Sequence, residues 1–261
     1  FVILFAPKMV AVVLAAIMAA ISAYELLYNT KLVTHPRMLA YTMAFAFLVP
    51  FWSYFGCSYS WALAGLFLFY VLLFLELLIA QTKVAFSKAA ACMAGGIVIP
   101  FLFSALIRLF AMGDGSLWDD GRLFLILPFL IAFLSDSGAY FVGVFFGKHK
   151  LCPNISPKKT VEGLVGGLIA AVLGMVIYGV ILQFVFGFTV NYLYVVIYGL
   201  VGSLAGVFGD LSFSVIKRQT KIKDYGNLIP GHGGILDRFD SVIVVAPLVE
   251  LLLMVIPVAV R

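Results

Sequence analysis

Long runs of apolar residues, separated by short polar stretches, follow one another along the whole chain. A helix needs about 20 apolar residues to cross the hydrocarbon core of a bilayer. These runs lack the alternation of apolar and polar positions that is typical of a transmembrane β-strand. The pattern therefore predicts spanning helices near residues 9–27, 41–56, 61–80, 86–111, 121–147, 161–184, 190–216 and 239–260.

The first residues, 1–7, form a further apolar run that is too short to span, and we interpret it as the end of a truncated helix. The predicted fold is thus an all-α, polytopic integral membrane protein with about eight complete transmembrane helices plus a truncated N-terminal one. No repeat or linker divides the sequence. We predict a single transmembrane domain over 1–261, with N-terminal helices in 1–120 and the polar motifs in 121–261.

Composition supports membrane residence, because 64% of the residues are hydrophobic and only 11% are charged. A soluble domain carries about 25% charged residues, so this chain could not cover the surface of a water-soluble fold. Cys57, Cys92 and Cys152 are far apart and odd in number. They predict neither a disulfide framework nor a zinc site.

Lysine and arginine are concentrated in loops that lie two predicted helices apart. Since positively charged loops stay on the cytoplasmic side, these loops should be cytoplasmic. The opposite side receives Lys8, Arg122 and Arg261. We expect a multi-pass protein of the inner (plasma) membrane with its C-terminus outside. The residues of the basic loops are Lys31, Arg37, Lys83, Lys88, Lys148, Lys150, Lys158, Lys159, Lys217, Arg218, Lys221, Lys223 and Arg238.

Several ionisable residues fall inside the predicted spans, where a charge costs at least about 2.5 kcal/mol. Glu25 and Glu76 lie near predicted cytoplasmic helix ends, so we expect their carboxylates to reach the lipid headgroups. Arg108 can extend to the opposite surface in the same way. Glu250 is deeper and has no evident partner in the sequence.

Asp136 and Asp210 are harder to explain as headgroup contacts. Asp136 lies in a polar notch, 135–140, and shares a helix face with Tyr140. Asp210 precedes Ser214 and Lys217 by helical spacings, so a polar stripe leads out of the span into the next loop.

The basic loop before the span at 161–184 contains Lys158 and Lys159. Ser156, which precedes a proline, can cap a helix start there, and lysines beside free backbone N–H groups can bind phosphate. The same lysines could instead serve only to fix the orientation of the chain in the membrane.

The polar stretch 217–241 combines basic residues, glycines and carboxylates. Glycines such as Gly233 and Gly234 let backbone N–H groups approach a phosphate closely, and His232 could contact phosphate or transfer a proton. Asp237 and Asp240 offer the hard oxygen ligands that Mg²⁺ prefers. No P-loop pattern is present. The residues alone indicate a metal-assisted phosphate site at the cytoplasmic membrane surface and leave its substrate open.

This stretch closely resembles the signature of the phosphatidate cytidylyltransferases, or CDP-diacylglycerol synthases. The notch at 135–140 and the segment 156–163 also look like features of that family. The residues that fill the signature are Ser214, Lys217, Arg218, Lys223, Asp224, Gly226, Ile229, Pro230, His232, Gly233, Gly234, Asp237, Arg238 and Asp240.

The resemblance implies an enzyme that joins CTP and phosphatidic acid to give CDP-diacylglycerol and pyrophosphate. It also implies Mg²⁺ as cofactor, with room for a second cation, a homodimer in contact with membrane lipids, and no nucleic acid partner. Asp210 and Asp237 would be the main metal ligands, supported by Asp240 and Asp136. The remaining expected site residues are Lys217, Lys223 and His232 for catalysis, and Ser214, Arg218, Asp224, Gly233, Gly234, Arg238, Lys158, Lys159, Ser156 and Tyr140 for substrate.

Two alternatives remain. A CTP-using lipid kinase of the polyprenol type, or a synthase for archaeal ether lipids, must also bring CTP to a membrane lipid; the signature favours the phosphatidate enzyme. A cation transporter could use Asp136, Asp210 and Glu250, but its site should lie nearer the membrane midplane, whereas these charges cluster towards one side.

Overall fold

Within the residues that the computed structural model describes, seven helices are long and apolar enough to cross a membrane. The structure describes residues 7–81, 83–112, 120–227 and 233–260. Together these helices confirm the predicted all-α polytopic membrane fold. They are α1 Lys8–Asn29, α2 Pro36–Phe55, α3 Tyr59–Ile79, α4 Phe86–Ala111, α5 Asp120–Phe146, α6 Val161–Phe184 and α7 Tyr192–Gln219.

The predicted last span, 239–260, is shorter in the structure. A five-residue helix, α8 Ile235–Phe239, is followed by a turn and then by α9 Val242–Val255. The helix ends there because Ile256 leaves the helical conformation and Pro257 disfavours a helical residue before it. A short strand, β4 Ala259–Val260, follows and pairs with β3 Thr189–Val190.

The chain forms two compact units. The first unit comprises Phe1–Arg122 and Lys217–Phe239, and the second comprises Leu123–Ile216 and Asp240–Arg261. Helix α7 belongs to both, since the division falls between Ile216 and Lys217 within it.

In the first unit, α1, α2 and α4 pack against one another and bury small and aliphatic side chains. Phe45 of α2 stacks on Phe69 of α3 at 4.5 Å between ring centroids. In the described part of the chain, two segments are π-helical, Glu25–Asn29 at the end of α1 and Ala94–Val98 within α4. Such segments are rare in proteins, and those that occur often lie at functional sites.

In the second unit, small residues let the backbones of α5 and α6 approach closely. A Cβ on Gly138 would overlap α6, and a Cβ on Gly167 would meet the carbonyl oxygen of Ser135 at 2.7 Å. The Ser135 hydroxyl also hydrogen-bonds that of Ser203 on α7, at 2.6 Å.

A β-hairpin joins α5 to α6, which the sequence reasoning did not predict. Its strands are β1 Lys150–Cys152 and β2 Ser156–Thr160. The expectation that Ser156 caps a helix was wrong, because Ser156 begins β2. The cap of α6 is Thr160, whose hydroxyl accepts a hydrogen bond from the Gly163 N–H at 3.1 Å.

Candidate functional site

A cavity of about 630 Å³ lies within the second unit and brings together the hairpin, the polar notch of α5 and the polar stripe of α7. The sequence-predicted residues that line it come from three separate stretches of the chain. They are Asp136, Tyr140, Ser156, Lys158, Lys159 and Asp210.

Asp210 and Lys159 form an ion pair in this cavity, and both side chains are partly exposed. The other carboxylate oxygen of Asp210 accepts a hydrogen bond from the Ser214 hydroxyl at 3.1 Å. Asp136 lies within electrostatic range of both Lys159 and Asp210. A lysine that interacts with two carboxylates offsets part of their mutual repulsion, so an anionic phosphate and a cation could both be accommodated here.

The hairpin is held in place by Glu162, whose role the sequence did not reveal. Its carboxylate accepts hydrogen bonds from the backbone N–H of Lys148 and of His149, at 3.1 and 3.2 Å. It also contacts the His149 ring at 2.6 Å. Gly147 lies so close to Thr160 that a side chain there would collide. These contacts fix the base of the hairpin that carries Lys158 and Lys159.

A second polar cluster lies in the first unit and centres on Asp237. One oxygen of its carboxylate accepts a hydrogen bond from Lys217 at 2.9 Å. The other accepts the backbone N–H of Tyr225 at 2.7 Å and that of Gly234 at 3.1 Å. Lys217 and Asp237 are both largely buried. This carboxylate therefore joins the two sides of the loop between α7 and α8.

Two residues of α1 also hold this loop. Asn29 donates a hydrogen bond to the carbonyl oxygen of Tyr225 at 2.5 Å. Glu25 accepts the backbone N–H of Ile235 at 3.0 Å and that of Leu236 at 2.9 Å. The expectation that Glu25 reaches the headgroups was wrong, because its carboxylate is buried against the loop. Sequence reasoning could not foresee these contacts, since the partners are about 200 positions away.

The other predicted residues of the loop have different surroundings. Gly233 has a φ of +82°, a conformation that favours glycine. His232 lies outside the described residues. Asp240 belongs to the second unit, where its carboxylate accepts the Ser241 N–H at 2.8 Å. The predicted loop residues Arg218, Lys223, Asp224 and Arg238 are exposed.

The family model described as "Cytidylyltransferase family" matches residues 1–256. The chain is similar to proteins named phosphatidate cytidylyltransferase, at 39% identity in Staphylococcus haemolyticus and 40% in Staphylococcus saprophyticus and Staphylococcus aureus. Each match covers 135 residues, 52% of this chain and 50% of the relative. The chain thus spans about half the length of the curated relatives it matches.

Proposed function

We propose that this chain, which belongs to the cytidylyltransferase family, is an enzyme that transfers the cytidylyl group of CTP to phosphatidic acid. The products are CDP-diacylglycerol and pyrophosphate. The observation that carries the proposal is the cavity of the second unit, in which lysines and carboxylates converge between spanning helices. The names of the staphylococcal relatives support the same substrates.

The proposed reaction needs little covalent help from the protein. An oxygen of the phosphatidate phosphate attacks the α-phosphorus of CTP, a new P–O bond forms, and the bond to the β-phosphate oxygen breaks to release pyrophosphate. The lipid phosphate is already a nucleophile near neutral pH. Orientation of the two substrates and neutralisation of their charge therefore account for most of the catalysis.

In the second unit, Lys158 and Lys159 suit the lipid phosphate, because both line the cavity. Lys159 can exchange its contact with Asp210 for one with the incoming phosphate. Tyr140 and Val144 also line the cavity and are largely exposed. Their position gives the acyl chains an apolar route along α5.

In the first unit, we assign the CTP phosphates to exposed basic side chains of the motif, Arg218, Lys223 and Arg238. Gly233 and Gly234 would let the backbone approach them, with Asp224 and His232 as further contacts. Lys217 is held in place by its hydrogen bond to Asp237, so we propose that it neutralises part of the negative charge of the CTP phosphates without moving.

The proposal includes Mg²⁺, and the donors of the second unit fit it. Mg²⁺ is usually bound by one or two carboxylates together with water and substrate phosphates, and Asp136 and Asp210 lie within electrostatic range of each other. Within the described residues, no cluster of three or more acidic, histidine or cysteine side chains occurs. When bound, Mg²⁺ would neutralise negative charge on the phosphates. Asp240 is a further candidate ligand for the ion. Asp237 would have to give up one of its hydrogen-bond donors to bind a metal ion. The proposal also includes a second cation.

We further propose that the site faces the cytoplasm, that the C-terminus lies outside, and that the enzyme acts as a homodimer in the inner membrane. The asymmetry of the basic loops supports the orientation, and the family resemblance supports the dimer.

Product analysis tests the proposal. Purified protein in phosphatidate-containing nanodiscs is given Mg²⁺ and CTP labelled at either the α- or the γ-phosphate. We expect the α-label in CDP-diacylglycerol and the γ-label in pyrophosphate, in equal amounts. A lipid that carries the γ-label, with CDP released, would indicate a kinase. Absence of labelled lipid across several lipid compositions would refute the proposal.

A further inference from the structure

Glu25 is a buried carboxylate that the proposed reaction does not use. It lies in the π-helical end of α1, and only 2% of the residue is exposed. A carboxylate inside a spanning helix is costly unless it has partners. Its position therefore calls for an explanation beyond packing.

The two oxygens of Glu25 have separate partners. One accepts the Ile235 N–H at 3.0 Å and the other accepts the Leu236 N–H at 2.9 Å. Asp237 is the next residue along the chain. The carboxylate thus fixes the backbone immediately before the aspartate that joins the two sides of the loop.

Two glycines show how closely the loop fits around Glu25. A Cβ added to Gly226 or to Gly234 would collide with the Glu25 carboxylate. Both glycines belong to the sequence signature, and this contact gives a physical reason for the absence of a side chain at each. The loop backbone approaches α1 here as closely as only glycine allows.

Asn29 completes the attachment on the other side of the loop. It is four positions after Glu25, and it donates to the carbonyl oxygen of Tyr225 at 2.5 Å. Both residues belong to the π-helical segment Glu25–Asn29. The end of α1 therefore holds the loop at Tyr225 and at Ile235–Leu236, on either side of the segment between them.

We propose that Glu25 is a positioning residue for the nucleotide-transfer reaction, which fixes the loop around Asp237 in its working geometry. The expected effect on kcat rests on the proposed function, whereas the contacts that support the inference all lie within the first unit. Glu25 acts through the loop backbone and need not touch a substrate.

Glu25→Gln tests this role with little change in size. The amide has one acceptor oxygen, so its NH₂ group would face one of the two backbone N–H donors. We expect kcat to fall by roughly 10- to 100-fold, the factor that corresponds to one lost hydrogen bond to a charged group. We expect the KM values for CTP and phosphatidate to change less than kcat. Glu76→Gln is the matched control, because Glu76 is a buried carboxylate of the same unit whose contacts are Tyr41, Arg37 and His35.

Hydrogen–deuterium exchange supplies a measurement that does not depend on activity. We expect faster exchange within the Ile235–Leu236 pair in Glu25→Gln, because one of the two N–H groups loses its acceptor, and unchanged exchange there in Glu76→Gln. Should Glu25→Gln fail to accumulate, Asn29→Ala removes the other attachment and should speed exchange in the loop and lower kcat.

Wild-type kcat together with wild-type exchange in Glu25→Gln would overturn the inference. Faster exchange without a fall in kcat would also overturn it, because the loop geometry would then be irrelevant to the reaction. If the wild-type protein makes no CDP-diacylglycerol, the proposed function fails. The exchange data then decide separately whether Glu25 attaches the loop: faster exchange in Glu25→Gln would support the attachment, and unchanged exchange would refute it.

Discussion

The two polar clusters of this protein each pair a lysine with an aspartate, yet they differ in what else the aspartate contacts. Asp237 in the first unit accepts hydrogen bonds from one side chain and two backbone N–H groups. Asp210 in the second unit contacts Lys159 and Ser214 and lines an open cavity. The first arrangement organises a loop, whereas the second remains available to a ligand.

This difference separates two residues that the sequence placed in the same role. Both were predicted to be main metal ligands because they come from the two predicted helices that flank the polar loop. The geometry favours Asp210 for contact with the ion and substrate, and it favours Asp237 for holding the loop. Substitutions in the two clusters should therefore have different signatures in activity and in stability.

The largest effect on turnover is expected for Asp210→Asn. Removal of a charge that acts directly on the reacting phosphates should lower kcat by roughly 100- to 1,000-fold. The measurement is CDP-diacylglycerol formation in nanodiscs at saturating CTP and Mg²⁺. A loss of turnover of about threefold or less, far smaller than the expected loss, would show that Asp210 is not part of the site.

A smaller effect is expected for Lys159→Met, which keeps the length of the side chain and removes its charge. Loss of a charge-assisted hydrogen bond to the lipid phosphate should raise the KM for phosphatidate by roughly 10- to 100-fold. Lys148→Met is the control, because Lys148 is an exposed lysine near the hairpin that does not line the cavity. Equal KM values for the two variants would contradict the assignment of the lipid phosphate to Lys159.

The smallest effect is expected for Ser214→Ala, which deletes one neutral hydrogen-bond donor to Asp210. A single bond of this kind contributes about 0.5–1.5 kcal/mol, so kcat/KM should fall by roughly 2- to 10-fold. A loss as large as that of Asp210→Asn would show that Ser214 contacts substrate itself.

Much of the architecture could be predicted from sequence, because apolar runs of bilayer length leave few alternatives to spanning helices. The motif also led to the family, which the match over residues 1–256 confirms. The last helix was harder to place, since its apolar run continues beyond Pro257 while the helix ends at Val255.

The candidate site was predicted in part. Asp136, Lys159 and Asp210 were named from their types and spacings, and the structure brings them together in one cavity. Glu25 and Asn29 could not be assigned, because their partners are backbone groups far along the chain. A backbone N–H has no sequence signature, so only the fold reveals such contacts.

Thermal unfolding of Asp237→Asn beside Asp210→Asn tests the contrast between the two clusters most directly. An amide at Asp237 would turn its NH₂ group towards a lysine or a backbone donor, and breaking a buried ion pair is strongly destabilising. We predict that Asp237→Asn lowers the unfolding midpoint by about 5 °C or more, while Asp210→Asn leaves it near the wild-type value. Equal midpoints, or a lower one for Asp210→Asn, would contradict the account.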